Sequence, residues 1–397
     1  MILLGRRAVV ASTLVWLLFP PFIQSSADTY VNGAELETDG TDLKKQMLLY
    51  REKLAGYKKA HAAYEKLASP YWKSISEKRS RRLKKRALNQ GVTLSDYVLE
   101  QPPVYSGPPK PKNPEKPPSA AVSVPVVADF LKRAKEQFNF APEKPSSELD
   151  YKRAYAEAAS AAGLNSEQCV KIYAFESGGD GGYDVQAGLE YNRPGAHAIT
   201  TALGYNQLLT TNSIELLAEA GDQFLTALSK KYEVMSGARL ESLGQKISIL
   251  KRMIAFSRSV PDRWGDHAKL ADTTKGLGVH ALILDVDVGP LLQAQKLLTS
   301  TEFAKSHGYT APLTAAELEM MNLTGDGNGF DIVLMPDDLR GKVPTSNFFQ
   351  RGGYERNPVA IVNNTVAKLL AATNAKMESE AQLPGARHLA SFFHELQ

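Results

Sequence analysis

Nine prolines stand between Gln101 and Pro125, among them Pro108-Pro109 and Pro117-Pro118. Proline fixes φ and carries no N–H, so this stretch makes neither a helix nor a central strand. It predicts an extended, semi-rigid linker over 101–125 that divides the chain into two unlike parts. The whole is 397 residues, 43% hydrophobic and 23% charged, which is globular composition. One cysteine, Cys169, excludes an intrachain disulfide framework and any CxxC zinc or redox site. It reads as a small buried hydrophobe. A formal net charge of +4 gives no ground for a nucleic-acid partner, and none is expected.

The first 27 residues read as a signal peptide. Arg6 and Arg7 precede an apolar run of 12 residues, Ala8 to Phe19, too short to span a bilayer. Ser25-Ser26-Ala27 then offers small residues at a cleavage site. Export, together with a lone cysteine, points to a bacterial periplasm or exterior.

Residues 28–100 form a basic helical arm. From Lys44 to Arg86 there are 15 Lys/Arg against three Glu (Glu52, Glu65, Glu77). The run ends in Lys78-Arg79-Ser80-Arg81-Arg82-Leu83-Lys84-Lys85-Arg86. Leu48, Leu54, Tyr57, Tyr64 and Leu67 recur at roughly helical spacing as a narrow apolar stripe. Such an arm would adhere to an anionic surface, either lipid headgroups or an acidic envelope polymer.

Beyond the linker, 126–144 holds a short helix and a connector, and 145–397 a mainly α domain. Ser147 caps a helix that Gly163 stops, and Asn165 with Gln168 makes a capping-box variant opening the next. That helix must end at Glu176-Ser177, because Gly178 and Gly179 follow. Asn212 with Glu215 repeats the pattern, with Gly221 as stop. Further helices are predicted near 222–235, 240–258, 290–306 and 358–373. Six glycines and one proline make 178–195 a long irregular loop.

Glu176 is the unusual residue. Cys169, Ile172, Tyr173 and Glu176 stand at i, i+3, i+4 and i+7, one helical face. The first three turn that face inward, so Glu176 is carried toward the interior. It also lies in the last helical turn, where the macrodipole disfavours a carboxylate. Both effects raise the pKa, as a general acid near neutral pH requires.

The residues around Glu176 resemble the soluble lytic transglycosylase family of the lysozyme-like superfamily. Ala161-Ala162-Gly163-Leu164 is similar to the lead-in of its catalytic helix. Glu176-Ser177 matches the pair that ends that helix, and Gly204-Tyr205-Asn206-Gln207 matches a Gly-x-x-Gln segment before the next. Asn322 to Gly325 stands where a late Asn-x-Gly is found. The chain departs from the pattern in its longer loop, in Tyr205-Asn206, and in Met321 before Asn322 where a tyrosine is usual. The resemblance implies a lysozyme-like helical domain that cuts the β-1,4 bond between N-acetylmuramic acid and N-acetylglucosamine in peptidoglycan. It implies Glu176 as acid and then base, a 1,6-anhydro product, and no cofactor or metal. Ser177 and Gln207 would hold acetamido groups or position Glu176, Tyr205 would stack on a sugar, and Asn322 would contact it. A hydrolytic muramidase needs a second carboxylate, for which Asp180, Asp184 and Glu190 are candidates. A non-catalytic envelope-binding scaffold of the same fold is the alternative from another class.

Other patterns carry less. Asp326-Gly327-Asn328-Gly329-Phe330-Asp331 begins like an EF-hand loop, but Phe330 and Asp331 occupy positions that need a ligand and a glycine. It predicts a glycine-rich turn. Asp285-Val286-Asp287 is a short strand or a helix end. Asn347-Phe348-Phe349 and Gly352-Gly353-Tyr354 offer aromatics that would line a sugar groove or pack the C-terminal helices.

Overall fold

A computed structural model describes residues 39–116, 123–189 and 194–396. The signal peptide expected over 1–27, Pro117-Pro118 and Glu190 lie outside them. The described residues are mainly helical, with no strand and only isolated bridges. They form two compact units interleaved in sequence: 39–116 with 337–366, and 124–336 with 367–396. The helix expected to stand apart over 126–144 therefore belongs to the larger unit, and 337–366 to the smaller.

In the smaller unit, α1 (Asp39–Ala87) is a single helix of 49 residues running through Pro70. Its buried positions are Ala68, Trp72, Ile75, Arg79 and Arg82. These fall at i, i+4, i+7, i+11 and i+14, one face of the helix. The stripe expected from Leu48 and Leu67 is not that face, for both are exposed. The buried face ends in arginines because it covers backbone. Arg82, fully buried, donates Nη1–H to the Asp96 carbonyl at 3.1 Å and Nη2–H to that of Asn347 at 3.1 Å. Its guanidinium lies 4.5 Å from the centre of the Tyr97 ring. Arg79 donates to the carbonyls of Asn347 at 3.2 Å and Phe349 at 2.7 Å. Asn347 pairs its own amide with the N–H and C=O of Val98, at 2.9 and 2.8 Å. Phe348 and Phe349 are buried, the first against the Tyr97 ring and the second against that of Tyr354. Part of the basic run is thus structural, while Lys58, Lys59, Lys66, Lys73, Arg81 and Lys84 stay exposed. Residues 101–116 have no regular structure, as the prolines require, but they lie along α1. The Tyr105 ring is 6.2 Å from Tyr57, 5.7 Å from His61 and 5.5 Å from Tyr64, centre to centre.

The larger unit begins with α2 (Val127–Phe138), α3 (Glu148–Ala161), α4 (Ser166–Ser177), α5 (Thr210–Glu233) and α6 (Gly237–Ser257). It continues with α7 (Trp264–Ala271), α8 (Thr274–His280), α9 (Gly289–Ser306), α10 (Ala315–Thr324) and α11 (Asp326–Val333). It closes with α12 (Val366–Glu380) and α13 (Pro384–Glu395). One core joins α2, α5, α6, α8 and the start of α9 through residues such as Phe130, Leu217, Phe224, Met253 and Leu292. None of the described helices is by itself long and apolar enough to cross a membrane.

The caps follow the sequence closely at first. Ser147 accepts from the Asp150 N–H, and Asn165 and Gln168 make both bonds of the capping box. Asn212 and Gly221 do not act as expected. The helix starts earlier, at Thr210, and Asn212 reaches back to accept from the Leu209 N–H at 3.0 Å. It then runs straight through Gly221, where an added Cβ would meet Ile254 at 2.7 Å. Gly221 is there for close approach of α5 and α6. The helix expected over 358–373 is broken, because Asn364 gives its carbonyl to the Thr345 N–H and Pro344 bridges Thr365. Asp285 follows one helical turn and holds the turn that leads into α9, accepting from the N–H groups of Asp287 and Val288. Residues 326–331 lie in α11 rather than in a turn.

His280 is fully buried between Ser213 (Nδ1 to Oγ, 2.8 Å) and the Thr201 carbonyl (Nε2 to O, 2.8 Å). Burial pushes its pKa down to about 4. The imidazole is therefore neutral, with Nε2–H donating to Thr201 and Nδ1 accepting from Ser213. An unfolded histidine titrates near 6.5. The stabilisation linked to this group is whole above that pH and is lost as pH falls toward 4. Denaturant titration should show about 2–3 kcal/mol of stability lost between pH 7 and 4.5 from this source, a loss missing in His280→Gln.

Candidate active site

The site is built on α4, which is enclosed along most of its length: from Gln168 to Ser177 only Lys171 is not buried. It packs against α3, α10 and α13. Gly178, at φ 68°, ends it in the left-handed conformation that glycine adopts without strain. Glu176 thus stands in the last buried turn, 2% exposed. Lys376 Nζ donates to the Phe175 carbonyl at 3.3 Å, placing a cation at the negative end of the helix.

Two side chains of α10 face Glu176. Asn322 Nδ2–H donates to Glu176 Oε1 at 3.2 Å. Glu319, one turn earlier and 1% exposed, is near enough for its charge to act on the Glu176 carboxyl. No backbone, amide or hydroxyl group donates to Glu176 Oε2 or to either oxygen of Glu319. Two carboxylates with so few donors cannot both ionise at low cost. Burial, and then the like charge of Glu319, push the Glu176 pKa well above the carboxylate range. Burial also raises Glu319, to about 7. Glu176 is therefore the more firmly protonated of the two. The charge of Lys296 on α9 partly offsets these shifts, as it does at Glu215 of α5, whose own pKa burial raises to about 7.

The other residues singled out in the sequence are engaged elsewhere. Ser177 Oγ donates to the Tyr173 carbonyl at 2.6 Å, within its own helix. Gln207, at φ 43° and 3% exposed, donates its amide to the carbonyls of Val185 (3.1 Å) and Gly204 (2.8 Å). Tyr205 has no face open to a sugar. It is fully buried, its hydroxyl donates to Glu148, and the rings of Tyr151, Tyr155 and Tyr173 surround it at 5.2, 5.5 and 4.7 Å. Asp180 accepts from the Gly385 N–H at 2.7 Å, at the start of α13, and Asp184 is exposed. The acid that accompanies Glu176 is instead Glu319. The sequence signal for it was Glu319-x-x-Asn322, two polar side chains one helical turn apart in an apolar helix. Among the described residues no group of three or more His, Cys, Asp or Glu is placed to hold a metal ion.

Changing Glu319 to Gln should remove the like charge and leave Glu176 easier to ionise. A raised carboxyl pKa stabilises fully below the unfolded value near 4.5 and costs stability as pH rises above it. Urea denaturation at pH 8 should therefore find the variant more stable by about 1–3 kcal/mol, the usual cost of a poorly satisfied buried polar group. At pH 4 the two proteins should be nearly equal.

Compared with protein-family models, with curated proteins and with solved structures, the chain matches none.

Proposed function

We propose that the larger unit is a lysozyme-like lytic transglycosylase that cuts peptidoglycan in the bacterial envelope, with Glu176 as its only acid–base group. The observation that carries this reading is the Asn322–Glu176 hydrogen bond, 3.2 Å long. It joins two residues 146 positions apart that the family resemblance singles out independently. The protonation of Glu176 supports the same reading. A neutral carboxyl gives its proton to the bridging oxygen as the C1–O bond breaks and an oxocarbenium-like centre forms. The resulting carboxylate takes the proton of the muramoyl 6-hydroxyl, whose oxygen closes on C1. The product is a 1,6-anhydro sugar, and Glu176 ends protonated as it began.

Glu319 supports this outcome over hydrolysis. Retaining and inverting glycosidases hold their carboxyls about 5–5.5 Å and about 6.5–9.5 Å apart, with the sugar or a water between. Glu319 is itself buried and its charge acts on Glu176, which suits holding a proton on Glu176 rather than attacking the sugar. The exposed lysines and arginines of α1 would keep the enzyme at an anionic envelope surface, after export through the N-terminal signal. A non-catalytic scaffold is the second reading, favoured by Ser177, Tyr205 and Gln207 all being engaged inside the fold. Mass spectrometry of purified sacculi digested with the protein separates them. Anhydro-muramoyl ends are the expected product, reducing ends would indicate a hydrolase, and intact sacculi a scaffold.

A further inference from the structure

The buried face of α1 continues past the part that the fold covers. Going back from Ala68 in alternating steps of four and three, the same face carries Tyr64, His61, Tyr57, Leu54, Tyr50, Met47 and Leu43. Eight positions at that spacing make four heptads of a coiled-coil seam. The proline-rich segment takes part of it, with the Tyr105 ring on those of Tyr57, His61 and Tyr64. Among the described residues of α1 every buried one lies at or beyond Ala68. Leu43 is 41% exposed, and Met47, Tyr50 and Leu54 are only partly buried.

The charges beside the seam narrow the class of partner. Lys44, Arg51 and Lys58, seven residues apart, line one flank, and Lys53 stands on the other. All four are exposed. The single carboxylate between Leu43 and Ala60, Glu52, lies on the opposite side of the helix. A second copy of this chain would set Lys53 against Lys58 in a parallel pair, and the row Lys44, Arg51, Lys58 against itself in an antiparallel one. Like charges so placed oppose association. A lipid surface needs one broad apolar face, and here Leu48 and Leu49 fall away from the seam among Lys45, Glu52 and Lys59. What fits is a second helix with apolar residues at the same spacing and carboxylates beside them.

We infer that Leu43, Met47, Tyr50 and Leu54 of α1 dock an acidic amphipathic helix of another protein, its Asp or Glu side chains pairing with Lys44, Arg51, Lys53 and Lys58. The partner helix would end against Tyr105, which occupies the seam beyond. The site lies wholly on α1, so it stands whether or not the larger unit cleaves glycans.

Fluorescence anisotropy tests this, with the full chain titrated into a labelled synthetic helix that has leucine along one heptad seam and glutamate on both flanks. Saturable binding is expected, weakened at least tenfold by Leu54→Gln and by the pair Arg51→Glu and Lys58→Glu, and unchanged by Leu48→Gln on the far side. Arg51 and Lys58 are exposed, so the charge reversal tests contact and not folding. The same peptide with lysine on its flanks should not bind, and added salt should weaken the acidic one. No binding of the acidic peptide, equal binding of both peptides, or equal losses in Leu54→Gln and Leu48→Gln would overturn the assignment. Binding to phosphatidylglycerol vesicles that Leu54→Gln abolishes would overturn it in favour of lipid. A dimer in sedimentation that Leu54→Gln dissolves would overturn it in favour of a second copy.

Discussion

Glu176→Gln should lose glycan cleavage by about 10²–10⁴-fold, the usual contribution of a general acid, and gain thermal stability at the same time. Both effects have one cause. The carboxyl is buried beside Glu319 and receives a single donor, from Asn322. Glutamine has the same shape, still accepts from Asn322, and can donate its N–H toward Glu319. It removes the cost of a buried acid that must stay protonated while the pH is neutral, a cost typical of sites where function is set against stability. A gain of about 1 kcal/mol would raise the melting temperature by about 2–4 °C in a domain of this size. Glu176→Ala should behave differently, abolishing cleavage and lowering stability, because it strands the Asn322 amide and leaves a void. Turnover by Glu176→Gln equal to that of the parent chain would refute the assignment of the acid.

Arg82→Met should destabilise the smaller unit by about 3–5 kcal/mol, the largest effect expected of any substitution there. The guanidinium satisfies the carbonyls of Asp96 and Asn347 and stacks on Tyr97. Methionine fills the volume but takes the guanidinium from the buried Asp96 carbonyl and leaves the Asn347 carbonyl with Arg79 alone. Lysine should rescue little, since one ammonium cannot reproduce a planar fork that reaches two carbonyls. Hydrogen-exchange mass spectrometry reads the result directly: amides in 94–98 and 343–349 should lose protection in Arg82→Met and keep it in Arg81→Ala. The exposed Arg81, one residue away, should change stability by less than about 0.5 kcal/mol.

The contrast between Arg81 and Arg82 shows where the sequence was legible. Local rules worked at Asn165, whose cap and box are both present, and at Gly178, which ends α4 and fixes the position of Glu176. The inward stripe of Cys169, Ile172 and Tyr173 placed Glu176 correctly because its evidence lay within two helical turns. Burial of Arg79 and Arg82 was hidden because their partners are backbone carbonyls at 96, 347 and 349, which no side-chain pattern announces. Read as solvated charge, they concealed a face that runs through Ala68, Trp72 and Ile75 at regular helical intervals. Glu319 was hidden differently. All but Glu317 of the ten residues of α10 are buried, so the helix has no polar side against which an inward acid would stand out. Gly221 looked like a stop, since sequence cannot distinguish a glycine needed for φ from one needed for contact with Ile254.

The central claim is that Glu176 carries a proton at neutral pH, held there by burial beside Glu319. Isotope-edited infrared titration of the full chain, with labelled glutamate carboxyls, tests it most directly. A protonated-carboxyl stretch should be present at pH 7 in the parent protein and lose its Glu176 component in Glu176→Gln, while Glu215, raised to about 7, contributes to the band in both. Two fully ionised carboxylates at pH 7, with no such band to lose, would contradict the account.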